Sequence, residues 1–449
     1  MSLLESAPTD ASEDGRSAAR TEQLSTADTR TAIAASLIGT TVEWYDFFLY
    51  STAAGIVFDK LFFPHTSAFV GTMLSFATFA VGFLMRPIGG LVFGHIGDRI
   101  GRKRTLALTM AIMGGSTALM GVLPTSAVLG TAAPILLLAL RILQGFALGG
   151  EWAGAVLLAV EYSPRKKVGL FGSYPQVGLA LGLALGTGVF ALLHSTLDEQ
   201  AFLDYGWRLA FGASVVLVVI GLVVRLRIDE TPAFREIDRL NRISKVPVLE
   251  LFRSVGMRRN TIIGLLSRWG EGAAFNTWGV FAITFATGHL GFRQVPVLIA
   301  VTVAAGVMAV LIPVSGRLTD RFGPRRVYIA GMAAYGVLVF PVFLLFETGN
   351  IVVFTLGMVA VFGIAHAMFY GAQGTLYAGL YPAEVRYTGL SFVYQVSGIY
   401  ASGITPMIVT ALIAAGAGTP WLACGYLVAT GVVSVIASWF ISEDDRLTA

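Results

Sequence analysis

The sequence predicts an all-α membrane protein: twelve transmembrane helices in two pseudo-symmetric six-helix bundles. Three observations carry this reading. The chain is 55% hydrophobic and 13% charged, with mean hydropathy +0.74, far from the balance of a soluble domain. Apolar runs of roughly 20 residues, enough to cross a bilayer, recur along it. One short pattern also occurs twice, about half a chain apart. Its copies are Gly94-His95-Ile96-Gly97-Asp98-Arg99-Ile100-Gly101-Arg102-Lys103-Arg104 and Gly316-Arg317-Leu318-Thr319-Asp320-Arg321-Phe322-Gly323-Pro324-Arg325-Arg326. They align without a gap, Asp98 on Asp320 and Arg99 on Arg321. A repeat placed between long apolar runs marks two homologous membrane-crossing halves.

The runs lie at about 31–57, 67–96, 105–124, 132–160, 168–193 and 208–228, then 260–288, 295–318, 327–346, 351–380, 387–414 and 420–440. The domains expected are therefore a six-helix bundle over 30–228 and a second over 260–440, joined by a polar central loop over 229–259. Residues 1–29, rich in Ser, Ala, Thr and acids, read as a disordered tail without the apolar core of a signal peptide. Residues 441–449 form a short C-terminal tail. Gly178, Gly182 and Gly186 form a small-residue stripe suited to close helix packing. The opening of span 5, around Tyr174-Pro175-Gln176-Val177, is echoed by Tyr394-Gln395-Val396 in span 11, an independent trace of the duplication.

Charge sets the topology. One set of loops holds Arg99, Arg102, Lys103, Arg104, Arg165, Lys166, Lys167, nine basic residues from Arg225 to Arg259, Arg317, Arg321, Arg325, Arg326 and Arg386, whereas the other holds Lys60, Arg208 and Arg293. The positive-inside rule then predicts a multi-pass protein of the cell membrane with both termini cytoplasmic. The pI near 9.2 follows from this asymmetry and implies no nucleic-acid partner. The single cysteine, Cys424, cannot form an internal disulfide.

Ionisable groups within spans cost about 2.5–3.5 kcal/mol each on insertion scales and mark function by default. Glu43 and Asp46, three apart, share a face of span 1, and paired acids favour one carrying a proton. They can equally serve as ion-pair partners holding helices together. Arg141, deep in span 4, suits either a bidentate clamp on a carboxylate or a structural pair with Glu43 or Asp46. Arg268 and Glu271 lie roughly 13 Å into span 7, as a neutral pair or as a switch opened by a proton or solute. Glu151 is a further acid in span 4. The candidate proton carriers are thus Asp46, Glu43, Glu271 and Glu151. Candidate solute ligands are Arg141, Arg268, Gln144, Tyr50, Asn276, Trp278, His366 and Gln395. Arg86, before Pro87, reads as structural, satisfying carbonyls freed by the proline or snorkelling.

Asp98 and Asp320 end their helices where the macrodipole disfavours an acid, so each needs a donor elsewhere. Pseudo-symmetry points Asp98 to the start of span 11, near Tyr387, and Asp320 to the start of span 5, near Gly169. Gly97, Gly101 and Gly323 are expected to make the tight turns.

The duplicated loop resembles the signature of the major facilitator superfamily, and Arg141-Ile142-Leu143-Gln144-Gly145 is similar to its second motif. Val42-Glu43-Trp44-Tyr45-Asp46-Phe47-Phe48-Leu49-Tyr50, Phe83-Leu84-Met85-Arg86-Pro87-Ile88-Gly89-Gly90 and Gly149-Gly150-Glu151-Trp152 resemble the metabolite:proton symporter family. That family includes shikimate, 2-oxoglutarate, citrate and proline/betaine carriers. Arg268 followed by Glu271 resembles the shikimate carriers among them. The resemblance implies a twelve-helix fold working by alternating access, with protons as coupling ion, a small-molecule substrate, the lipid bilayer as partner, no cofactor and a functional monomer. It also implies that Asp98, Arg99, Arg102, Asp320 and Arg321 latch the cytoplasmic side, although these cations serve topology as well.

Proton-coupled import of a small polar metabolite is the reading these features favour. An organic carboxylate such as shikimate or a dicarboxylate fits the arginines; a proline- or betaine-like zwitterion fits the arginines and acids together. An exporter of amphipathic compounds is disfavoured, because Tyr174-Pro175-Gln176-Val177-Gly178-Leu179 departs from the Gly-Pro and paired glycines of the superfamily's antiporters. No metal-ligand cluster, nucleotide loop or nucleophile–base constellation suggests an enzyme.

Overall fold

The computed structural model describes residues 26–100, 102–161, 163–227, 247–382 and 385–442. Every regular element among them is helical. The first half holds α1 (Thr26–Ile56), α2 (Ala68–Ile100), α3 (Arg102–Val122), α4 (132–161), α5 (Val168–Thr196) and α6 (199–227). The second holds α7 (255–288), α8 (Gln294–Phe322), α9 (Pro324–Phe346), α10 (Ile351–Ala378), α11 (Arg386–Ala415) and α12 (Trp421–Trp439). Short helices Phe58–Phe62, Ser126–Leu129 and Pro247–Arg253 lie between them.

Among the described residues, nine of the twelve are long and apolar enough to cross a membrane by composition alone. The other three are α1, α3 and α7. Charges lower the apolar signal of α1, which carries Glu43 and Asp46, and of α7, which carries Arg258, Arg259, Arg268 and Glu271, whereas the described apolar part of α3, Ala107–Val122, is shorter.

Two expectations change. The duplicated motif is hardly a loop: α2 runs through Gly97 to Ile100, and α8 runs to Phe322. The turn between α8 and α9 is the single residue Gly323, at φ +87° and ψ 147°, a conformation that side chains disfavour. Helix α6 begins at Glu199, not near 208, through a π segment over Phe202–Gly206 whose Phe202 and Gly206 are buried. Burial of this entry segment outweighs its polar composition. The tail expectations fall mostly outside the described residues, although the chain is already helical from Thr26, and Pro247–Arg253 and the start of α7 occupy the end of the 229–259 segment.

The glycine stripe of α5 faces α1. A Cβ at Gly178 would meet Thr40, and one at Gly182 would meet Trp44 and Tyr45. This close packing fixes α1 and the rotation of its inward face. Across the halves, α5 runs along α8 and α2 along α11. Phe48 of α1 packs on Phe275 of α7 at 5.2 Å, and Phe275 on Phe362 of α10 at 5.4 Å. Apolar rings thus fill the junction beside the polar site.

Candidate functional site: a cavity between the two halves

A small cavity lies where the halves meet, lined by Glu43 and Trp44 of α1, Arg86 of α2, Leu148 and Trp152 of α4, and Tyr394 and Gln395 of α11. Its wall depends on a break in α4. There Leu148–Gly150 tightens into a 3-10 turn, and α2 approaches so closely that a Cβ on Gly149 would collide with the backbone at Arg86 and Gly90. The second half completes this wall: Gln395 Nε2 donates to the Gly149 carbonyl at 2.6 Å.

Arg86 is 4% exposed. Its guanidinium lies 4.3 Å from the Phe83 ring centroid, 4.5 Å from Phe47 and 5.5 Å from Trp44. It makes no hydrogen bond or ion pair among the described residues, and its Nε is buried without an acceptor. It therefore neither satisfies the carbonyls above Pro87 nor snorkels. It is a desolvated cation held by aromatic faces, facing Glu43 across the cavity.

Trp152 is oriented by its indole N–H, which donates to Gln176 Oε1 at 2.9 Å. Its ring stacks on Tyr394 with centroids 3.7 Å apart and planes at 14°. The Arg268 guanidinium lies 3.8 Å from the same Tyr394 centroid. Trp152 fills one face of that ring, so the arginine takes the other.

Arg268 stands at a break in α7. The Ser267 carbonyl accepts from Tyr328 at 2.7 Å, the Leu265 carbonyl from Tyr400 at 2.7 Å, and the Gly270 N–H donates to Ser434 at 2.7 Å. Side chains of α9, α11 and α12 thus replace the backbone bonds that a continuous helix would make. Arg268 Nε faces Glu271 Oε2 at 3.3 Å, with both side chains buried, and Arg268 Nη1 donates to Ser397 at 3.1 Å. Neither atom of the Nε–Oε2 pair has good hydrogen-bond geometry. The attraction is mainly Coulombic.

Asp46 turns away from Glu43, into the first half. It accepts a bond from Ser214 of α6 on Oδ1, leaves Oδ2 unpartnered and lies beside Thr117 of α3 and within electrostatic range of Glu43. Thr117 accepts from Gln144 Nε2 at 2.8 Å, and the Gln144 carbonyl oxygen accepts from Arg141 Nη1. Arg141 is fully buried, 4.1 Å from the Tyr50 ring centroid, and forms no ion pair among the described residues. Its Nε and Nη2 are unpartnered. Tyr50 donates to Thr78 at 2.7 Å.

The expected set therefore separates. Glu43 and Gln395 line the cavity. Arg268 and Glu271 sit behind Tyr394. Asp46, Gln144, Arg141 and Tyr50 form a second polar locus inside the first bundle, without the direct Arg141–Asp46 or Arg141–Glu43 pair considered from sequence. Glu151 is buried beside Trp152. Asn276 donates back to its own helix at Gly272. Trp278 packs in the second bundle on Phe343 and Phe346, and His366 lies among Phe275, Phe362, Phe369 and Tyr370. Trp278 and His366 do not line the cavity. Arg86 and Trp152 do, although sequence reasoning made neither a solute ligand. The signal for Arg86 was a lone cation within an apolar run.

The halves also touch at both ends. At the end bearing the basic loops, Asp320 Oδ1 accepts from Gly169 N at 2.6 Å and Oδ2 from Leu170 N at 3.0 Å. This is the contact that pseudo-symmetry anticipates. Arg321 is exposed over Phe322. The side chains of Asp98, Arg99 and Arg102 lie outside the described residues. At the opposite end, Thr187 bonds Thr302 at 2.8 Å and Thr284 donates to the Gly55 carbonyl at 3.2 Å. The halves thus hold contacts at both ends.

Such a cavity between two pseudo-symmetric bundles defines a secondary carrier. Residues 31–239 match the family described as "Sugar (and other) transporter", and residues 270–449 match "Major Facilitator Superfamily". The chain is 39% identical over 426 residues to the shikimate transporter of Escherichia coli (strain K12), covering 94% of this chain and 97% of that one. It is 34% identical over 428 residues to the proline/betaine transporter of the same strain, covering 92% and 83%. Its fold is similar to that of a xylose transporter from E. coli, in a partially occluded inward-open conformation, with TM-score 0.72, 16% identity and coverage of 92% and 98%. The chain belongs to the major facilitator superfamily, among its metabolite carriers, and is a multi-pass membrane protein.

Proposed function

We propose that this carrier is a proton-coupled symporter that imports a small organic carboxylate. The observation that carries the reading is Arg86, a buried cation without a protein acceptor on the wall of the interdomain cavity. Glu43 offsets that charge from across the cavity, and a carboxylate entering the cavity supplies the hydrogen-bonding partner that a buried cation needs. The similarity to a shikimate transporter supports the same substrate class.

Proton coupling is assigned to Asp46 together with Glu43. Asp46 has one carboxylate oxygen held by Ser214 and the other unpartnered, and it is fully buried, so that taking up a proton removes a desolvated charge. Thr117, which lies beside that acid, accepts from Gln144, and Gln144 accepts from Arg141 of α4. A protonated Asp46 can donate to Thr117 where the carboxylate cannot, and so acts on the helix that carries Trp152. Alternating access follows from opening one interdomain contact while the other holds. Asp320, with Asp98, Arg99, Arg102 and Arg321, guards the end bearing the basic loops. By the positive-inside rule that end, the termini and the 229–259 segment are cytoplasmic. The units are the bundles over 30–228 and 260–440, and one chain holds a whole site, so it functions as a monomer.

A specific observation favours one second reading. Glu43 faces Arg86 within the cavity, which suits a zwitterion, as does the similarity to a proline/betaine transporter. Uptake into proteoliposomes tests both, using labelled shikimate, benzoate, 2-oxoglutarate, citrate, proline and betaine with and without an imposed inward proton gradient. Accumulation of one acid that requires the gradient is expected. Uptake driven by sodium and indifferent to protons excludes proton symport.

A further inference from the structure

We propose that the Tyr394 ring occupies the ring subsite of the solute pocket, and that a flat, unsaturated ring carboxylate displaces it, stacking on Trp152 with its carboxylate on Arg86. The inference rests on the carboxylate reading above and narrows it to one shape of acid.

Tyr394 stands where such a ligand would stand. Trp152 covers one face at 3.7 Å, and the Arg268 guanidinium covers the other at 3.8 Å. Its hydroxyl lies within electrostatic range of both Arg86 and Arg268. A flat ring bearing one anionic group reproduces each of these relations, and its carboxylate gives Arg86 the direct hydrogen-bonding partner that Glu43, acting from across the cavity, does not. Trp152 is already aimed, because Gln176 holds its N–H.

Tyr394 also sits beside a helix irregularity. The helical segment Arg386–Ser397 that carries it is followed by a π segment, Gly398–Gly403, a departure from α-helix that is frequent at functional sites. Trp152 and Tyr394 belong to opposite halves, so parting them for the solute also loosens the contact between those halves. Parallel rings suit a flat guest. A quaternary ammonium is better held by rings set at angles around it.

Binding to purified protein, by calorimetry, tests this with benzoate, cyclohex-1-ene-1-carboxylate, cyclohexanecarboxylate and glycine betaine. The wild type should prefer the two unsaturated acids over the saturated one by about tenfold, the worth of one stacked ring. Trp152→Leu should abolish that preference and Trp152→Phe retain part of it. Arg86→Gln should lose carboxylate binding altogether, and Arg86→Lys keep a fraction. Tyr394→Leu gives the decisive sign: removing the occupant should tighten benzoate binding by about tenfold. Weaker binding in Tyr394→Leu, equal affinity for saturated and unsaturated rings, or tighter binding of betaine each overturns the proposal. Proton movement is read separately with a pH dye in proteoliposomes. A bound ring acid that moves no proton refutes symport and leaves the ring subsite standing. Proton-driven betaine uptake does the reverse.

Discussion

The Asp320 carboxylate in one half of the molecule caps the first turn of α5, at Gly169 and Leu170, in the other. One oxygen takes the Gly169 N–H at 2.6 Å and the second takes the Leu170 N–H at 3.0 Å. Both ends of the interaction gain. Asp320 escapes the negative end of its own α8, and the first turn of α5 acquires an acceptor for N–H groups without intrahelical partners.

Asp320→Asn should weaken this closure by about 1–2 kcal/mol, because a charge-assisted bond becomes a neutral one. Spin labels spanning α5 and α8 near this end should report a longer mean distance. An unchanged distance distribution would show that the contact does not hold the closed state.

The Arg268–Glu271 pair should be costly to break and cheap to replace. Arg268→Met or Glu271→Leu alone should lower thermal stability in detergent by about 3–5 kcal/mol, since each strands a buried charge. The double substitution should recover most of that stability while transport remains lost. Full transport by the double variant would mean that the pair only maintains the fold.

Asp46→Asn should abolish gradient-driven accumulation and leave solute counterflow intact. In the wild type, uptake should rise as external pH falls, because the loaded carrier needs the acid protonated. A flat pH profile, or loss of counterflow in the variant, would contradict the coupling role.

The break in α7 should respond to its side-chain substitutes. Tyr400→Phe and Tyr328→Phe each leave a buried carbonyl without its donor and should cost about 1–3 kcal/mol. Hydrogen exchange should quicken at residues 265–271 in particular. Unaltered exchange there would show that the break is held by packing alone.

The architecture was legible because its signals are long and redundant. Apolar runs, basic loops and a duplicated motif each report on twenty or more residues. The Asp320 contact was legible too, because a carboxylate at the wrong end of a helix needs a donor and pseudo-symmetry points to one. The cavity was less so. Glu43 and Asp46 share a face by spacing, yet α1 packs on α3 and α6 on one side and meets the second half on another, so three residues of rotation separate an interdomain cavity from α3 and α6. Arg86 resembled a helix-end arginine beside a proline, because sequence shows depth but not whether carbonyls lie within reach. Trp278 and His366 looked like cavity residues because they lie near the middle of their spans. Rotation about the axis, which sequence spacing gives only relative to neighbours, turns Trp278 toward α9 and His366 into a cluster of rings. Breaks at Leu148–Gly150 and Arg268 came from tertiary partners and left little local trace.

The single-residue joint at Gly323 has a mechanical consequence. Helix α8 contains 29 residues, about 43 Å of helix, nine of them beyond Pro313, and α9 starts one residue later. Two rods so joined behave as a crank. When the Asp320 contact opens and α8 swings, α9 cannot lag by more than one peptide unit permits. Through Tyr328, which grips the Ser267 carbonyl, the swing reaches the segment of α7 beside Arg268. A few extra residues after Gly323 would slacken that transmission, leaving a folded carrier whose two ends no longer move in step.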